Sequence, residues 1–454
     1  FAHVYATYYD ADFKETVEHI ESAKSKLAYI EVKAKEKGYP LYLIIDEYDN
    51  FTNVILSEHG QRMFHDLTHA SGFYREYFKQ FKGMFDRIFM MGVSPVTLDG
   101  LSSGYNIDWN ISVDEIFNAM MGFEEAEVRE MFRYYQQNDM LKGDVEAMIT
   151  EMKPWYDNYC FARMSLNDDR VFNCDMTLYY LNYQVQRGSS PEEMVDKNIR
   201  TDYSKLKMLA RIDRDSVQEG DRMSTIEKIA AEGDIFVDLH TSFPAERITD
   251  IDNFRSLLYY YGLLTMCGTR GDLIKMSIPN NCVREQYFGF LRDYYQKYSS
   301  IDLHYLNVML TDMAYDGRWK PFFESVAQAY RENSAVRDAM EGERNLQGFL
   351  KAYLALASYY LVEPELEMNY GYCDFFLLPD KKRYPDVKHS YILELKYATR
   401  TATDAELEVQ ALEGRKQLLR YSEDKIVRCL SEGTTLHRLL LQFRGWDLVR
   451  CEEV

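Results

Sequence analysis

Alternating helical and strand patterns predict an α/β chain in three parts, and three observations carry that expectation. Two short apolar runs near the N-terminus, Leu41-Tyr42-Leu43-Ile44-Ile45 and Arg87-Ile88-Phe89-Met90-Met91-Gly92-Val93, suit strands buried on both faces of a parallel sheet with helices between them. Residues 124–335 read as mostly helical. Residues 336–454 return to helix alternating with short apolar runs, enough for an α/β domain with its own core. The expected domains are therefore 1–165, 166–335 and 336–454.

Along the chain, Asp12 with Glu15 three residues on reads as a helix start, and Gly38-Tyr39-Pro40 as its stop, which predicts one continuous helix from about 12 to 37. The first apolar run ends in Asp46-Glu47-Tyr48-Asp49-Asn50, the second in Ser94-Pro95. Glu124, Glu125 and Glu127 open a helix, since acids favour the positive end of the helix dipole. Within the helical middle, Leu263-Leu264-Thr265-Met266, a turn at Gly268-Thr269-Arg270-Gly271 and Leu273-Ile274-Lys275-Met276 predict a hairpin. With Ile278-Pro279-Asn280 it gives a winged-helix-like linker. The C-terminal part predicts a helix over 342–359, strands over 361–368, 372–378 and 391–397, a helix over 404–421, and closing strands over 439–443 and 446–449.

Composition bounds the function. Of 454 residues, 46% are hydrophobic and 28% charged, which excludes a disordered or collagen-like chain. Lys+Arg 53 against Asp+Glu 73 gives −20, so any nucleic-acid contact has to be a local basic patch. Seven dispersed cysteines without a CxxC fit a reducing compartment and neither a zinc knuckle nor a disulfide framework. No apolar run approaches the roughly 20 residues that span a bilayer, and the first residues are no signal peptide, so a cytoplasmic protein with no membrane partner is expected. The chain opens at Phe1 within what reads as an extended segment, so further sequence is expected upstream.

The strongest chemical signal is Asp374 at the head of one strand and Glu394-Leu395-Lys396 on the next. Residues i and i+2 of a strand share a face, so Glu394 and Lys396 point together while Leu393 and Leu395 enter the core. Folding at 379–390 brings Asp374 beside Glu394. Two carboxylates at one place repel unless a cation lies between them, and oxygen ligands suit Mg²⁺ or Mn²⁺. A lysine on that face can orient water or offset charge on a phosphate.

Gly371-Tyr372-Cys373-Asp374 and Ile392-Leu393-Glu394-Leu395-Lys396 resemble the PD-(D/E)XK nuclease motifs. Glu343, in Glu343-Arg344-Asn345 at the start of the preceding helix, resembles the helical acid of that superfamily, and Gln417-Leu418-Leu419-Arg420-Tyr421 its QxxxY element. The resemblance implies that Glu343, Asp374, Glu394 and the backbone carbonyl of Leu395 hold the metal. It also implies that Lys396 assists attack and that Gln417 and Tyr421 orient substrate or brace the site. Tyr372 and Cys373 stand where small or basic residues are usual.

The run ending in Asp46-Glu47 resembles a Walker B element, whose Asp serves Mg²⁺ and whose Glu orients water for NTP hydrolysis. With Ser94-Pro95, Thr97-Leu98-Asp99, Ser103-Gly104-Tyr105-Asn106, Trp155-Tyr156-Asp157-Asn158-Tyr159 and Val171-Phe172-Asn173-Cys174-Asp175, the chain resembles a family joining an AAA-ATPase-like domain to a PD-(D/E)XK domain. It departs in two respects: it has no GxxxxGK[ST], and Met91 replaces a small polar residue. The resemblance places the P-loop before Phe1, so the N-terminal part is expected to be a truncated P-loop-type sheet domain. ATP is expected as a cofactor of the full-length protein, and this chain by itself is a poor candidate for ATPase activity.

His65 and His69 share a helical spacing but have no evident third ligand, and Tyr259-Tyr260-Tyr261 reads as core more readily than as a base-stacking surface. Residues 341–454 carry 16 basic against 19 acidic side chains, a net −3, so the acidity lies mostly elsewhere. Lys381, Lys382 and Arg383 before the active strand, and Arg415, Lys416 and Arg420 around the QxxxY element, are the expected nucleic-acid contacts. The expected function is metal-dependent hydrolysis of DNA phosphodiesters, coupled in the full-length protein to an AAA-type ATPase regulatory domain. The competing expectation is a nucleotide-switched regulator or interaction protein whose nuclease-like domain does not cut. The sequence sets no oligomeric state.

Overall fold

The computed structural model describes residues 11–49, 80–81, 83–97, 109–196, 203–210, 219–244, 247–248, 250–297, 301–332, 342–368 and 371–454. The chain forms two compact units, residues 1–111 with 239–261, and residues 112–238 with 262–454. The second unit thus takes in 112–165, and its helical middle is continuous with the C-terminal sheet. His65, His69 and the Ser103-Gly104-Tyr105-Asn106 motif lie outside the described residues.

In chain order, the first unit contributes α1 (Ala11–His19), α2 (Ala23–Lys37), β1 (Tyr42–Ile45), β2 (Arg87–Met90) and β3 (Val96–Thr97). The second begins with β4 (Phe123–Glu124), α3 (Glu125–Gln137), α4 (Val145–Tyr156), β5 (Val171–Phe172), α5 (Cys174–Arg187), α6 (Tyr203–Ala210), α7 (Glu219–Glu232) and β6 (Asp234–Val237). The chain returns to the first unit for β7 (Phe243–Pro244) and α8 (Ile251–Tyr260). It closes in the second with β8 (Thr265–Arg270), β9 (Leu273–Ser277), α9 (Asn281–Tyr295), α10 (Leu303–Asp316), α11 (Lys320–Glu332), α12 (Glu343–Leu354), β10 (Tyr360–Met368), β11 (Gly371–Pro379), β12 (His389–Ala398), α13 (Asp404–Ser422), α14 (Lys425–Leu430), β13 (Thr435–Arg444) and β14 (Asp447–Glu453).

In the first unit β1 and β2 run parallel, as expected, from Tyr42 beside Arg87 to Ile45 beside Met90. Burial on both faces does not hold: Tyr42 and Ile44 are 64% and 69% exposed, and exposure alternates along β1. The single helix expected over 12–37 is two. Ser22 takes an extended conformation and accepts the N–H of Ser25, so it caps a new helix where the apolar pattern alone suggested continuity. Gly38 ends that helix in the left-handed region (φ 70), a conformation glycine adopts without a Cβ penalty.

In the second unit, Glu124 and Glu127 form a reciprocal capping box at the start of α3. β6, β9 and β8 make a three-stranded antiparallel sheet following α7. The β8–β9 turn sits at Gly271 (φ 62), later than expected, and Gly268 lies at a register shift within β8. The C-terminal sheet has the order β10-β11-β12-β13-β14, with β12 and β13 parallel and the other pairs antiparallel. A parallel pair needs a long crossover, and α13 supplies it, started by a Thr403–Glu406 capping box. Cys373, Phe376, Ile392, Ala411, Leu418, Tyr421, Val427 and Leu440 form the core between α13, α14 and the sheet. Among the described residues no helix is long and apolar enough to cross a membrane.

Candidate active site

The ladder between β11 and β12 is short, pairing Leu377 with Tyr391, Phe376 with Ile392 and Phe375 with Leu393. Continuing that antiparallel register by one step sets Asp374 across from Glu394. There the side chain of Asp374 replaces a main-chain partner: the N–H of Leu395 donates to its Oδ2 at 2.7 Å. Leu393 and Leu395 are fully buried, which turns Glu394 and Lys396 to the opposite face, as period 2 requires.

Glu394 is 3% exposed. Its Oε1 accepts from Lys396 Nζ at 2.8 Å, and its Oε2 is buried with no hydrogen-bond partner. Burial raises its pKa, Asp374 adds to the rise, and Lys396 opposes it. Asp374 is raised as well, first by burial and also by Glu343, while the Leu395 N–H and the cations of Lys396 and Lys351 pull it down. Burial lowers the pKa of Lys396, but Glu394 and then Asp374 more than restore it, so the ammonium is held charged.

Glu343 opens α12 with an exposed side chain, yet stands near enough to the buried acids that lost hydration raises its pKa against the pull of Lys396. On the other side of the site, α13 brings Gln417 and Tyr421. Tyr421 is 2% exposed and Gln417 Oε1 is buried without a hydrogen-bond partner. Among the described residues, no three His, Cys, Asp or Glu side chains converge as a metal-holding group. The oxygens gathered at the centre are thus those of Asp374 and Glu394.

Three residues at this centre escaped the motif reading. Gln347 Nε2 lies 3.4 Å from Asp374 Oδ1. Lys351, almost wholly buried, donates to the Ala231 carbonyl and lies 5.7 Å from the centre of the Phe375 ring. Both follow Glu343 at a spacing of four along one helix face, the signal that could have found them. Gly414 is the third: a Cβ there would stand 2.7 Å from Leu440, 3.4 Å from Lys396 Cε and 3.6 Å from Glu394 Cγ, so its missing side chain lets α13 lie against the acid strand.

The basic residues expected at nucleic acid have varied surroundings. Lys381 donates to the Glu432 carbonyl, Lys382 pairs with Glu151 at 2.8 Å, and Arg383 lies over the Trp155 ring at 4.8 Å and 3.6 Å from Asp380. Arg415 pairs with Glu452 at 2.7 Å, Arg420 lies by the Tyr421 ring, and Lys416 is exposed.

In the first unit, Asp46 and Glu47 follow β1 directly and are exposed. Glu47 is left-handed (φ 51), and its N–H bonds Asp46 Oδ1. The buried acid here is Asp49, whose carboxylate accepts the N–H groups of Val93 and Ser94 after β2. Gly92 has no room for a Cβ, which would meet Asp49 and Tyr48 within 2.6 Å. The sequence signal for this joint was Gly92 beside the acidic strand end.

The model of the PD-(D/E)XK nuclease superfamily matches residues 341–453, and that described as a predicted AAA-ATPase matches residues 2–102. No curated protein matches the chain. The superfamily match spans the five-stranded sheet, α12 and α13, and so contains every residue of the buried acid–lysine centre. The chain accordingly unites an AAA-ATPase-like segment near its start with a C-terminal domain of the PD-(D/E)XK nuclease superfamily.

Proposed function

We propose that the C-terminal domain is a metal-dependent nuclease that hydrolyses DNA phosphodiester bonds. The observation that carries this reading is the unpaired, buried Oε2 of Glu394 between Asp374 and Lys396. A buried carboxylate oxygen without a donor costs on the order of 1–3 kcal/mol or more, so a site that keeps one has a use for it. The donor set fits Mg²⁺ or Mn²⁺: the two carboxylates and the Leu395 carbonyl would hold the ion, with Glu343 assisting directly or through water. A bound divalent ion neutralises the two acids and offsets charge developing on the phosphate.

The residues of the chain divide the remaining tasks. Leu395 N–H fixes the Asp374 carboxylate, and Glu394 holds the Lys396 ammonium on the strand face that α13 lies against. From there Lys396 orients the attacking water and stabilises the negative charge of the transition state. Tyr421 and Gln417 brace the face opposite α12. Lys416 and Arg420 offer phosphate contacts, and Asp46 and Glu47 form the acidic edge of a nucleotide site that regulates the nuclease. The test is to incubate purified protein with single- and double-stranded DNA in Mg²⁺ or Mn²⁺. Cleavage that disappears in Lys396→Ala and Glu394→Ala supports the proposal; no cleavage of either substrate, or equal cutting by the variants, overturns it.

A further inference from the structure

Helix α12 carries Glu343, Gln347 and Lys351 at i, i+4 and i+8, which sets three polar side chains on one face. The other face is apolar: Leu346, Phe349, Leu350 and Tyr353 are buried. A helix held only by apolar packing can rotate slightly about its axis, but two contacts fix the azimuth of this one. Lys351 is 1% exposed and donates to the Ala231 carbonyl in the last turn of α7, where a cation also meets the negative end of that helix. Its ammonium also faces the ring of Phe375, the residue after Asp374. One turn closer to the helix start, Gly348 lets α7 approach: its Cβ position is 3.6 Å from the Glu227 carbonyl and 3.9 Å from Ala231.

With the helix so fixed, Gln347 is aimed at Asp374, its Nε2 at 3.4 Å from Oδ1. The two oxygens of Asp374 then have separate donors, the Leu395 N–H on Oδ2 and the Gln347 amide on Oδ1. We propose that Gln347 is a positioning residue of the nuclease centre, holding the Asp374 carboxylate in the rotamer that presents a lone pair toward Glu394. The inference rests on the nuclease reading above. A neutral donor suits the task, since it orients the carboxylate without competing for its charge as a lysine would.

The experiment compares wild type with Gln347→Met, which keeps size and helix propensity while removing the donor. Mn²⁺ binding is measured by calorimetry, and cleavage of a fixed DNA duplex is followed across Mn²⁺ concentrations. Outer partners of metal ligands are typically worth 10–100-fold, so the variant is expected to need about tenfold more Mn²⁺ for binding and half-maximal rate. At saturating Mn²⁺ its kcat is expected to recover to within about threefold, a split that a merely structural defect would not give. Unchanged Mn²⁺ dependence in a variant with wild-type thermal stability overturns the role of Gln347 and leaves the nuclease reading standing. A wild type that neither binds Mn²⁺ nor cuts overturns both.

Discussion

The N–H of Leu395 donates to Asp374 Oδ2 at 2.7 Å, one step beyond the last paired residues of β11 and β12. The same bond ends the ladder and fixes a reactive acid, so structure and chemistry can be separated by substitution. Asp374→Asn keeps an oxygen for that N–H and is expected to cost under about 1 kcal/mol of stability, whereas Asp374→Ala leaves a buried donor unpaired and costs about 1–3 kcal/mol. Both are expected to lose at least about 100-fold in cleavage rate, because the charge is gone in each. Urea melts alongside single-turnover rates check this; an asparagine variant with wild-type activity would remove Asp374 from the chemistry.

Gly414 is predicted to be irreplaceable for reasons of space. Gly414→Ala drives a methyl into Leu440 and against Lys396 and Glu394, and overpacking of this kind costs about 1–3 kcal/mol. Activity is expected to fall more than the fraction folded does, since the displaced groups are those of the centre. A variant matching wild type in both measurements would show that α13 has slack here.

Glu227 gives a pH dependence remote from the site. It is buried, accepts from Tyr295 OH at 2.8 Å, and burial raises its pKa to about 7 from 4.5 despite that bond. Between those two values the folded state keeps a proton that the unfolded state has lost. Stability is therefore fully present below pH 4.5 and is lost as pH rises toward and through 7, by about 3 kcal/mol in total. Glu227→Gln is expected to abolish that loss, with similar stability at pH 4.5 and a higher urea midpoint at pH 8. Parallel pH profiles for the two proteins would contradict it.

The two groups of basic residues are predicted to differ. Lys416 is exposed on α13, while Lys382 is tied to Glu151. Lys416→Ala is expected to reduce the slope of log affinity against log salt by about 0.9 on duplex DNA. Lys382→Ala is expected to leave that slope alone and to cost roughly 0.2–1 kcal/mol of stability. Fluorescence anisotropy between low and moderate salt distinguishes them; equal slope changes would place Lys382 on the nucleic acid after all.

Asp374, Glu394 and Lys396 were legible in the sequence because period 2 along a strand is rigid: once Leu393 and Leu395 are assigned to one face, Glu394 and Lys396 share the other. Gln417 and Tyr421 were found only through the resemblance to the QxxxY element; in the structure Tyr421 shares a helical stripe with the buried Ala411 and Leu418. Gln347 and Gly414 were not, since their roles depend on how far each helix is turned toward the sheet, which is decided by distant contacts such as Lys351 with Ala231. The break at Ser22 was missed because a capping serine interrupts an otherwise periodic apolar pattern without a glycine or proline to announce it. The open face of β1 was missed because an all-apolar run carries no record of which side is covered.

The most direct test of the account is single-turnover cleavage of a labelled DNA duplex by wild type and by Glu394→Gln, each with Mn²⁺ and with EDTA. Wild type is expected to cut with Mn²⁺, to stop with EDTA, and to lose at least about 100-fold in rate in the glutamine variant, which still accepts a bond from Lys396 but has lost the charge. Cleavage that survives EDTA, or a glutamine variant as fast as wild type, would contradict it.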